Sequence, residues 1–182
     1  EYGGAPYAVT DGVVVFSEFD DNRLLLKGSP EDEPTELVAD PALRFADMTL
    51  DLVRDRVYAV MEDQTESAIA ARNLLVAVSL ADGAITELAT GNDFYSDPVL
   101  SPDGRRLAFL TWDFPRMPWD GTDLWVAEIA ADGTLADPVH VAGGEAESIC
   151  QPKWSPDGSL VYGSDRSDWW NLYRWRVGAS GS

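Results

Sequence analysis

The sequence predicts an all-β fold, a partial β-propeller with about four blades of antiparallel strands and an incomplete last blade. Three observations predict it. A turn-bearing segment recurs along the chain, short apolar stretches alternate with Gly-, Pro- and Asp-rich turns, and no useful length has helical periodicity.

The repeat is explicit. Pro98-Val99-Leu100-Ser101-Pro102-Asp103-Gly104 recurs as Pro152-Lys153-Trp154-Ser155-Pro156-Asp157-Gly158. Pro6-Tyr7-Ala8-Val9-Thr10-Asp11-Gly12 keeps the proline and the Asp-Gly at the same separation. An eroded copy, Asp47-Met48-Thr49-Leu50-Asp51-Leu52-Val53-Arg54, aligns without gaps to Asp97 onward. Starts at residues 6, 48, 98 and 152 are spaced by 42, 50 and 54 residues, close to the ~40–50 residues of one propeller blade. The units are expected at about 5–46, 47–96, 97–150 and 151–177, with 178–182 a tail or linker.

Within each unit a short first strand leads into a turn. In Ser-Pro-Asp-Gly the proline presets φ, the aspartate can bond the backbone ahead and the glycine accepts a positive φ. An apolar second strand follows at 13–16, 57–61, 107–111 and 160–162, then a third strand anchored by Leu24, Leu74, Leu124 and Leu172. Asp82-Gly83 and Asp132-Gly133 mark a second turn into a fourth strand at 85–89 and 138–142, with Leu37-Val38 the counterpart in the first unit. The last unit stops at Arg176 after its third strand, and Glu1-Tyr2-Gly3-Gly4 does not supply a completing strand. A ring closes by sharing one blade between its termini, which removes exposed edges. The expectation is therefore a fragment of a larger propeller, or a chain that pairs with a second one, with self-association through its open edges. The start at Glu1 rather than Met and the Gly178-Ala179-Ser180-Gly181-Ser182 end are both expected to be cuts from something longer.

Composition narrows the function. The 182 residues are 45% hydrophobic, enough for a sizeable core, and 32 acidic residues against 13 Lys+Arg give a net charge of −19. A field of that sign repels phosphate backbones and anionic headgroups, so neither nucleic acid nor a membrane is an expected partner. No apolar run approaches the roughly 18 residues of a membrane span. The expected location is cytoplasmic, with a removed signal left open by the cut N-terminus. Cys150 is the only cysteine, which excludes an intrachain disulfide and a thiolate cluster; it reads as an inert buried thiol. His140 is the only histidine, and Gly-x-Ser-x-Gly, a Gly-rich phosphate loop and His-Glu-x-x-His are all missing. In Pro138-Val139-His140-Val141 alternation puts both valines on one strand face and leaves His140 facing solvent or partly packed. No cofactor is expected.

Several stretches carry a family resemblance. Ser-Pro-Asp-Gly before an apolar strand resembles the TolB-like propeller repeat. Glu1-Tyr2-Gly3-Gly4, the segment from Trp112-Asp113-Phe114-Pro115 through Trp119-Asp120-Gly121-Thr122-Asp123-Leu124-Trp125, and Ser164-Asp165-Arg166 with Trp169-Trp170-Asn171-Leu172-Tyr173 are similar to the β-propeller domain of prolyl oligopeptidase family serine peptidases. The branch they resemble is that of acylaminoacyl-peptidases and dipeptidyl-aminopeptidase-like enzymes. The resemblance implies a propeller joined to a C-terminal α/β-hydrolase domain carrying a Ser-Asp-His triad, a domain absent from this chain. None of the catalytic residues carries over. Phe114 stands where the resemblance leads one to expect a histidine and Gln64 where relatives often have one, which puts any role of those rings in doubt.

The connections between second and third strands, 18–22, 62–73, 112–122 and 165–170, emerge on one face of a propeller. They make an acidic rim with aromatic insertions. Glu62, Asp63, Asp113, Trp119, Asp120, Asp165, Arg166 and Trp169 are the candidates for substrate gating or amine binding, carboxylates pairing with a peptide α-ammonium beside an indole face. The alternative is solvated loop charges paired locally by arginines, with tryptophans wedged between blades. No dense oxygen-ligand loop appears, so no metal site is expected. Trp125, Trp154, Tyr173 and Trp175 lie in strand frames and read as packing residues.

Two functions compete. One is the non-catalytic propeller region of a prolyl oligopeptidase-like serine peptidase, restricting access of peptide substrates to a separate hydrolase domain; this chain alone would be inactive. The alternative is a TolB-like propeller acting as a protein-binding module.

Overall fold

The second strands of the two middle repeats are nearly continuous in apolar residues because residues 57–61 and 107–112 are buried on both faces. The computed structural model describes residues 4–67 and 69–178; the expectations on residues 1–3 and 179–182 lie outside them. The described residues contain strands and turns and no helix. They divide into two compact units, Glu1–Gly91 and Asn92–Ser182.

The first unit holds two four-stranded antiparallel sheets. One is β1 (Tyr7–Thr10), β2 (Val13–Ser17), β3 (Leu24–Lys27) and β4 (Thr35–Val38). The other is β5 (Leu43–Asp51), β6 (Arg56–Asp63), β7 (Arg72–Ser79) and β8 (Ile85–Ala89). They meet where Ala5 N–H donates to Asp47 Oδ1 at 2.8 Å and Asp47 N–H donates back to Ala5 O at 2.9 Å. Val15, Leu24, Val57, Leu74, Val76 and Val78 are fully buried between them.

In the second unit, β9 (Phe94–Leu100), β10 (Arg106–Trp112), β11 (Asp123–Ile129) and β12 (Leu135–Gly143) form a four-stranded sheet. β13 (Ile149–Trp154), β14 (Leu160–Ser164) and β15 (Asn171–Trp175) form a three-stranded one. The Trp154 indole N–H donates to Val99 O at 3.0 Å and its ring meets Trp175 edge-on, tying β13 to β9. Trp125 donates to Thr111 Oγ1 at 3.0 Å, and Tyr162 stacks on Tyr173. The strand-frame aromatics are thus packing residues.

The repeat's proline has a structural reason. Asp47, Asp97 and Gln151 adopt φ values of 50°, 52° and 50°, and the register of each first strand shifts there. Each is a β-bulge, and Pro98 and Pro152 follow it where the ladder is interrupted and an N–H is not required. The bulge lies inside the strand rather than at its start, so β5, β9 and β13 begin at Leu43, Phe94 and Ile149, ahead of the repeated segment.

The Ser-Pro-Asp-Gly turns close as their chemistry dictates. Gly104 N–H donates to Ser101 O at 2.8 Å and Gly158 N–H to Ser155 O at 2.9 Å, with glycine φ of 68° and 77°. Asp103 Oδ1 accepts from Ser101 Oγ at 2.6 Å and Arg105 N–H at 3.1 Å. The eroded turn uses other means. Asp51, 2% exposed, accepts from Arg54 Nη1 at 2.8 Å, Arg54 N–H at 3.1 Å and the Tyr58 hydroxyl at 3.1 Å.

Two expectations are corrected. Leu24, Leu74 and Leu124 are fully buried, but Leu172 is 81% exposed. It sits on the edge strand β15, where no fourth strand follows among the described residues. Val139 and Val141 do not share a face: the β11–β12 register shifts between Leu124 and Trp125, so Val141 packs on the core while Val139 is exposed.

Asp51→Ala is expected to lower unfolding free energy in urea by about 2 kcal/mol, less than the roughly 3–5 kcal/mol of a fully buried pair because Arg54 is partly solvated. Tyr58→Phe is expected to cost about 1 kcal/mol. Burial first, then the Asp51 charge, pushes the Tyr58 hydroxyl up to about 12. A raised folded-state value means its contribution is complete below the ordinary value of 10.0 and is lost as pH climbs toward about 12.

Candidate functional site

The second-to-third-strand connections carry all eight candidate residues, and each unit holds its own set. In the first unit, Glu62 and Asp63 end β6. Gln64 Nε2 donates to Glu62 Oε1 at 2.5 Å, so Gln64 fixes a carboxylate rather than presenting a ring. Asp63 Oδ1 accepts from Thr65 Oγ1 at 2.6 Å and Thr65 N–H at 2.9 Å, with Arg72 at 3.6 Å. Those hydrogen bonds, with the Arg72 charge a lesser cause, hold the Asp63 carboxyl below the usual carboxylate range and outweigh the opposing effect of burial.

In the second unit the 112–122 connection folds on itself. Asp113 accepts from Asn92 Nδ2 at 3.0 Å and Asp93 N–H at 2.8 Å, while Phe114 N–H donates to Asp93 Oδ2 at 2.8 Å. The Phe114–Pro115 peptide is cis, and the Phe114 ring is exposed. Asp120 Oδ2 accepts from Met117 N–H at 3.0 Å. Trp119 between them is 65% exposed.

Ser148 joins this connection to the next. Its hydroxyl donates to Pro118 O, and its N–H donates to Asp165 Oδ1 at 2.8 Å. Thr122 Oγ1 both donates to Ile149 O and accepts from Ile149 N–H, at 3.2 and 2.7 Å. Gly121 allows the approach, since an added Cβ would stand 2.2 Å from Gly144 O. Arg166 is clamped. Its Nε donates to Glu147 Oε1 at 2.9 Å, its Nη2 to the Tyr162 hydroxyl at 3.3 Å, and its guanidinium carbon lies 4.4 Å over the Tyr173 ring. Trp169 beyond it is 78% exposed, with only its carbonyl engaged, by Asn171 Nδ2 and Ser167 Oγ.

The second unit therefore brings Asp113, Trp119, Asp120, Asp165, Arg166 and Trp169 onto two connections stapled through Ser148. Every candidate carboxylate already accepts a hydrogen bond, whereas the two indoles stand free in solvent. Tryptophans wedged between blades do not describe Trp119 and Trp169.

One pair lay beyond the sequence reading. His140 Nε2 lies 2.8 Å from Asp123 Oδ1, with its ring 5.0 Å edge-on to Trp125, and Arg116 Nη2 is 3.4 Å from Asp123 Oδ2. Asp123 and His140 are seventeen residues apart and meet only through the β11–β12 shift, which no periodicity reveals. Glu147, the partner of Arg166, is likewise outside the connections that sequence singled out. Cys150 is half-buried rather than buried; burial first, then the charges of Asp97 and Asp165, pushes its thiol up, which keeps it protonated and unreactive. Among the described residues no group of three or more His, Cys, Asp or Glu could hold a metal ion.

A groove of about 290 Å³ runs between β11–β12 and the end of β15, lined by Val126, Val139, Trp175 and Val177 beside the Arg106–Glu128 ion pair. It borders the open edge, and Asp137 also lines it.

Repeated antiparallel sheets of four, four, four and three strands with a turn-and-bulge repeat define a partial β-propeller domain of about four blades, the last incomplete. The chain belongs to the lipoprotein LpqB β-propeller domain family, whose model matches residues 4–172. A puromycin hydrolase mutant complexed with PGG is 38% identical at a TM-score of 0.88, over 100% of this chain and 31% of that one. A Mycobacterium tuberculosis puromycin-hydrolyzing peptidase is 36% identical at a TM-score of 0.83, over 98% of this chain and 30% of that one. The chain thus spans about a third of the length of these relatives. TolB from Acinetobacter baumannii, 14% identical at a TM-score of 0.62 over 89% of this chain and 37% of that one, shows the fold alone. Comparison with curated protein sequences gives no match.

Asp157 offers a pH test of the turn chemistry. Its Oδ1 accepts from Ser159 Oγ at 2.6 Å and Ser159 N–H at 3.0 Å, and these bonds lower its carboxyl to about 2. A depressed folded-state value gives stability that is present above the ordinary 3.8 and lost as pH falls toward about 2. The difference in melting temperature between the parent chain and Asp157→Ala is expected to be constant near neutrality and to vanish across that interval.

Proposed function

We propose that this chain is the non-catalytic propeller region of a prolyl oligopeptidase-like serine peptidase, where it restricts access of peptide substrates to a separate hydrolase domain. The observation that carries the reading is the 36–38% identity to a puromycin hydrolase and a puromycin-hydrolyzing peptidase across essentially the whole chain, against only 30–31% of theirs. The length of those relatives outside the match leaves ample room for a catalytic domain. In this reading a ring excludes folded proteins and admits short peptides, and the chemistry resides elsewhere. The TolB-like binding-module reading has only the fold in its favour.

The rim would contribute recognition. Carboxylates at Asp120 and Asp165 keep oxygens available to a peptide α-ammonium, and the exposed Trp119 and Trp169 offer faces for a cation or an aromatic side chain. Arg166 is of the wrong charge for an amine; clamped by Glu147 and Tyr173, it holds the loop that presents Trp169. The open edge at β15, with its exposed Leu172, would promote self-association of the isolated chain.

The isolated chain is expected to hydrolyse no aminoacyl or dipeptidyl chromogenic substrate. In the longer protein, a variant lacking residues 1–182 but folded in its remaining domain should gain activity on long peptides relative to short ones. An unchanged ratio of kcat/KM between the two would overturn the access role.

Trp169→Ala should leave the unfolding midpoint within about 0.5 kcal/mol of the parent, as for other exposed sites. In the longer protein it should raise KM for free-amine peptides with kcat unchanged; an equal rise for N-acetylated peptides would remove amine recognition from the proposal.

A further inference from the structure

We infer that the Asp11–Gly12 step is a site of spontaneous backbone modification, at which the chain converts to an isoaspartyl linkage through a succinimide. The chain has six Asp-Gly steps, at Asp11, Asp82, Asp103, Asp120, Asp132 and Asp157, and no asparagine precedes a glycine. In the reaction the glycine nitrogen attacks the aspartate Cγ. A nitrogen–Cγ bond forms, and the carboxyl hydroxyl leaves with the amide proton as water. Water then adds to the former main-chain carbonyl and breaks its bond to nitrogen, freeing the α-carboxyl while the chain continues through Cβ and Cγ. One water leaves and one enters, so no oxidant, reductant or co-reactant is needed.

The step requires a carboxyl able to take up a proton and a glycine nitrogen free to move onto it. At five of the six steps the fold holds both groups. Asp103, Asp132 and Asp157 each accept the N–H two residues ahead and a serine or threonine hydroxyl. Asp82 accepts from Ala84 N–H at 3.1 Å and Asp120 from Met117 N–H at 3.0 Å. The glycine amides that follow are equally engaged. Gly83, Gly104, Gly133 and Gly158 donate to the carbonyls of Ser79, Ser101, Ala130 and Ser155 at 2.8–2.9 Å, and Gly121 donates to Met117 O at 3.3 Å.

Asp11–Gly12 stands apart. It is the two-residue loop of the β1–β2 hairpin, in which Thr10 pairs with Val13. Both loop residues have positive φ, 49° and 85°, which matches the right-handed twist of the strands. Asp11 is exposed. Among the described residues no donor reaches its carboxylate and no acceptor takes the Gly12 N–H. Asp11 also holds a left-handed conformation that its Cβ disfavours. An added backbone atom in so short a loop would break the Thr10–Val13 pairing and loosen β1, the strand next to the Ala5–Asp47 contact.

The test ages the folded chain in mildly acidic buffer beside a sample kept unfolded in concentrated guanidinium chloride. Isoaspartate is counted by methyl acceptance from an isoaspartyl methyltransferase and placed by electron-transfer fragmentation of tryptic peptides, Asp11 falling in the peptide that ends at Arg23. In the folded sample Asp11 should accumulate isoaspartate about ten-fold faster than each other Asp-Gly step, whose glycine amide must first give up its turn hydrogen bond. In guanidinium the six rates should converge, and Asp11→Ser should remove the signal from the folded sample. Faster accumulation at any other Asp-Gly step of the folded chain, or an Asp11 rate about ten-fold slower folded than unfolded, as for an amide held by a hydrogen bond, would overturn the inference.

Discussion

Two-sided burial of the middle strands governs the rest of this structure. Residues 57–61 of β6 and 107–112 of β10 are buried without interruption, so neither strand has a face on which a charge could be solvated. Burying a charge without a partner costs several kcal/mol, and the chain carries 32 acidic residues. Most of that charge is therefore displaced to turns and connections. The acidic rim is first a consequence of packing, which is why its carboxylates are so uniformly engaged. Asp63 and Asp120 accept the N–H groups of Thr65 and Met117 within their own connections, and Asp113 and Asp165 accept those of Asp93 and Ser148. A recognition surface built on such a rim works with oxygens left over from turn closure.

This constraint also explains what was legible in the sequence. A strand buried on both faces reads as an apolar run, and the expected second and third strands coincide closely with β2, β3, β6, β7, β10, β11, β14 and β15. The Asp-Gly turns were legible because proline, aspartate and glycine each supply a distinct conformational need. The first-strand bulges were not. Asp47, Asp97 and Gln151 share a left-handed φ, yet Gln151 has none of the composition that advertises one. The bulge is imposed by the ladder on either side, and the proline after it is tolerated because of it. The same limit hid the Asp123–His140 pair. Strict alternation along β12 puts Val139 and Val141 together, and only the extra residue in the register sets His140 opposite Trp125. Of the candidate site, the loops and residue types were readable; the partners that fix them, Ser148 and Glu147 in the segment before β13 and Tyr173 in β15, were not.

The contrast between carboxylates and indoles bears on how such a rim can act. An exposed tryptophan loses apolar burial that neighbouring strands could have supplied, and this chain leaves Trp119 and Trp169 so while packing Trp112, Trp125 and Trp154. The loops that carry them are nevertheless rigidly made. Ser148 holds both connections at once, and Arg166 spends its charge on Glu147 and its face on Tyr173. A preorganised loop with an unburied indole loses little further entropy when a ligand covers that indole.

The last sheet shows why the loop needs such fixing. In stacked repeats each unit is stabilised chiefly by its immediate neighbours. β13–β15 has a neighbour in its own unit through Trp154 and Val99, but Leu172 on its outer strand and Trp169 and Trp170 on the connection before it are exposed. Packing alone gives the 165–170 connection less support than the 112–122 connection receives. The Glu147–Arg166–Tyr162 cluster compensates with side-chain bonds that run from the loop back to β14 and to the segment before β13. Removing it would leave the backbone of the sheet intact and leave the 165–170 connection held chiefly by the hydrogen bonds between Asp165 and Ser148.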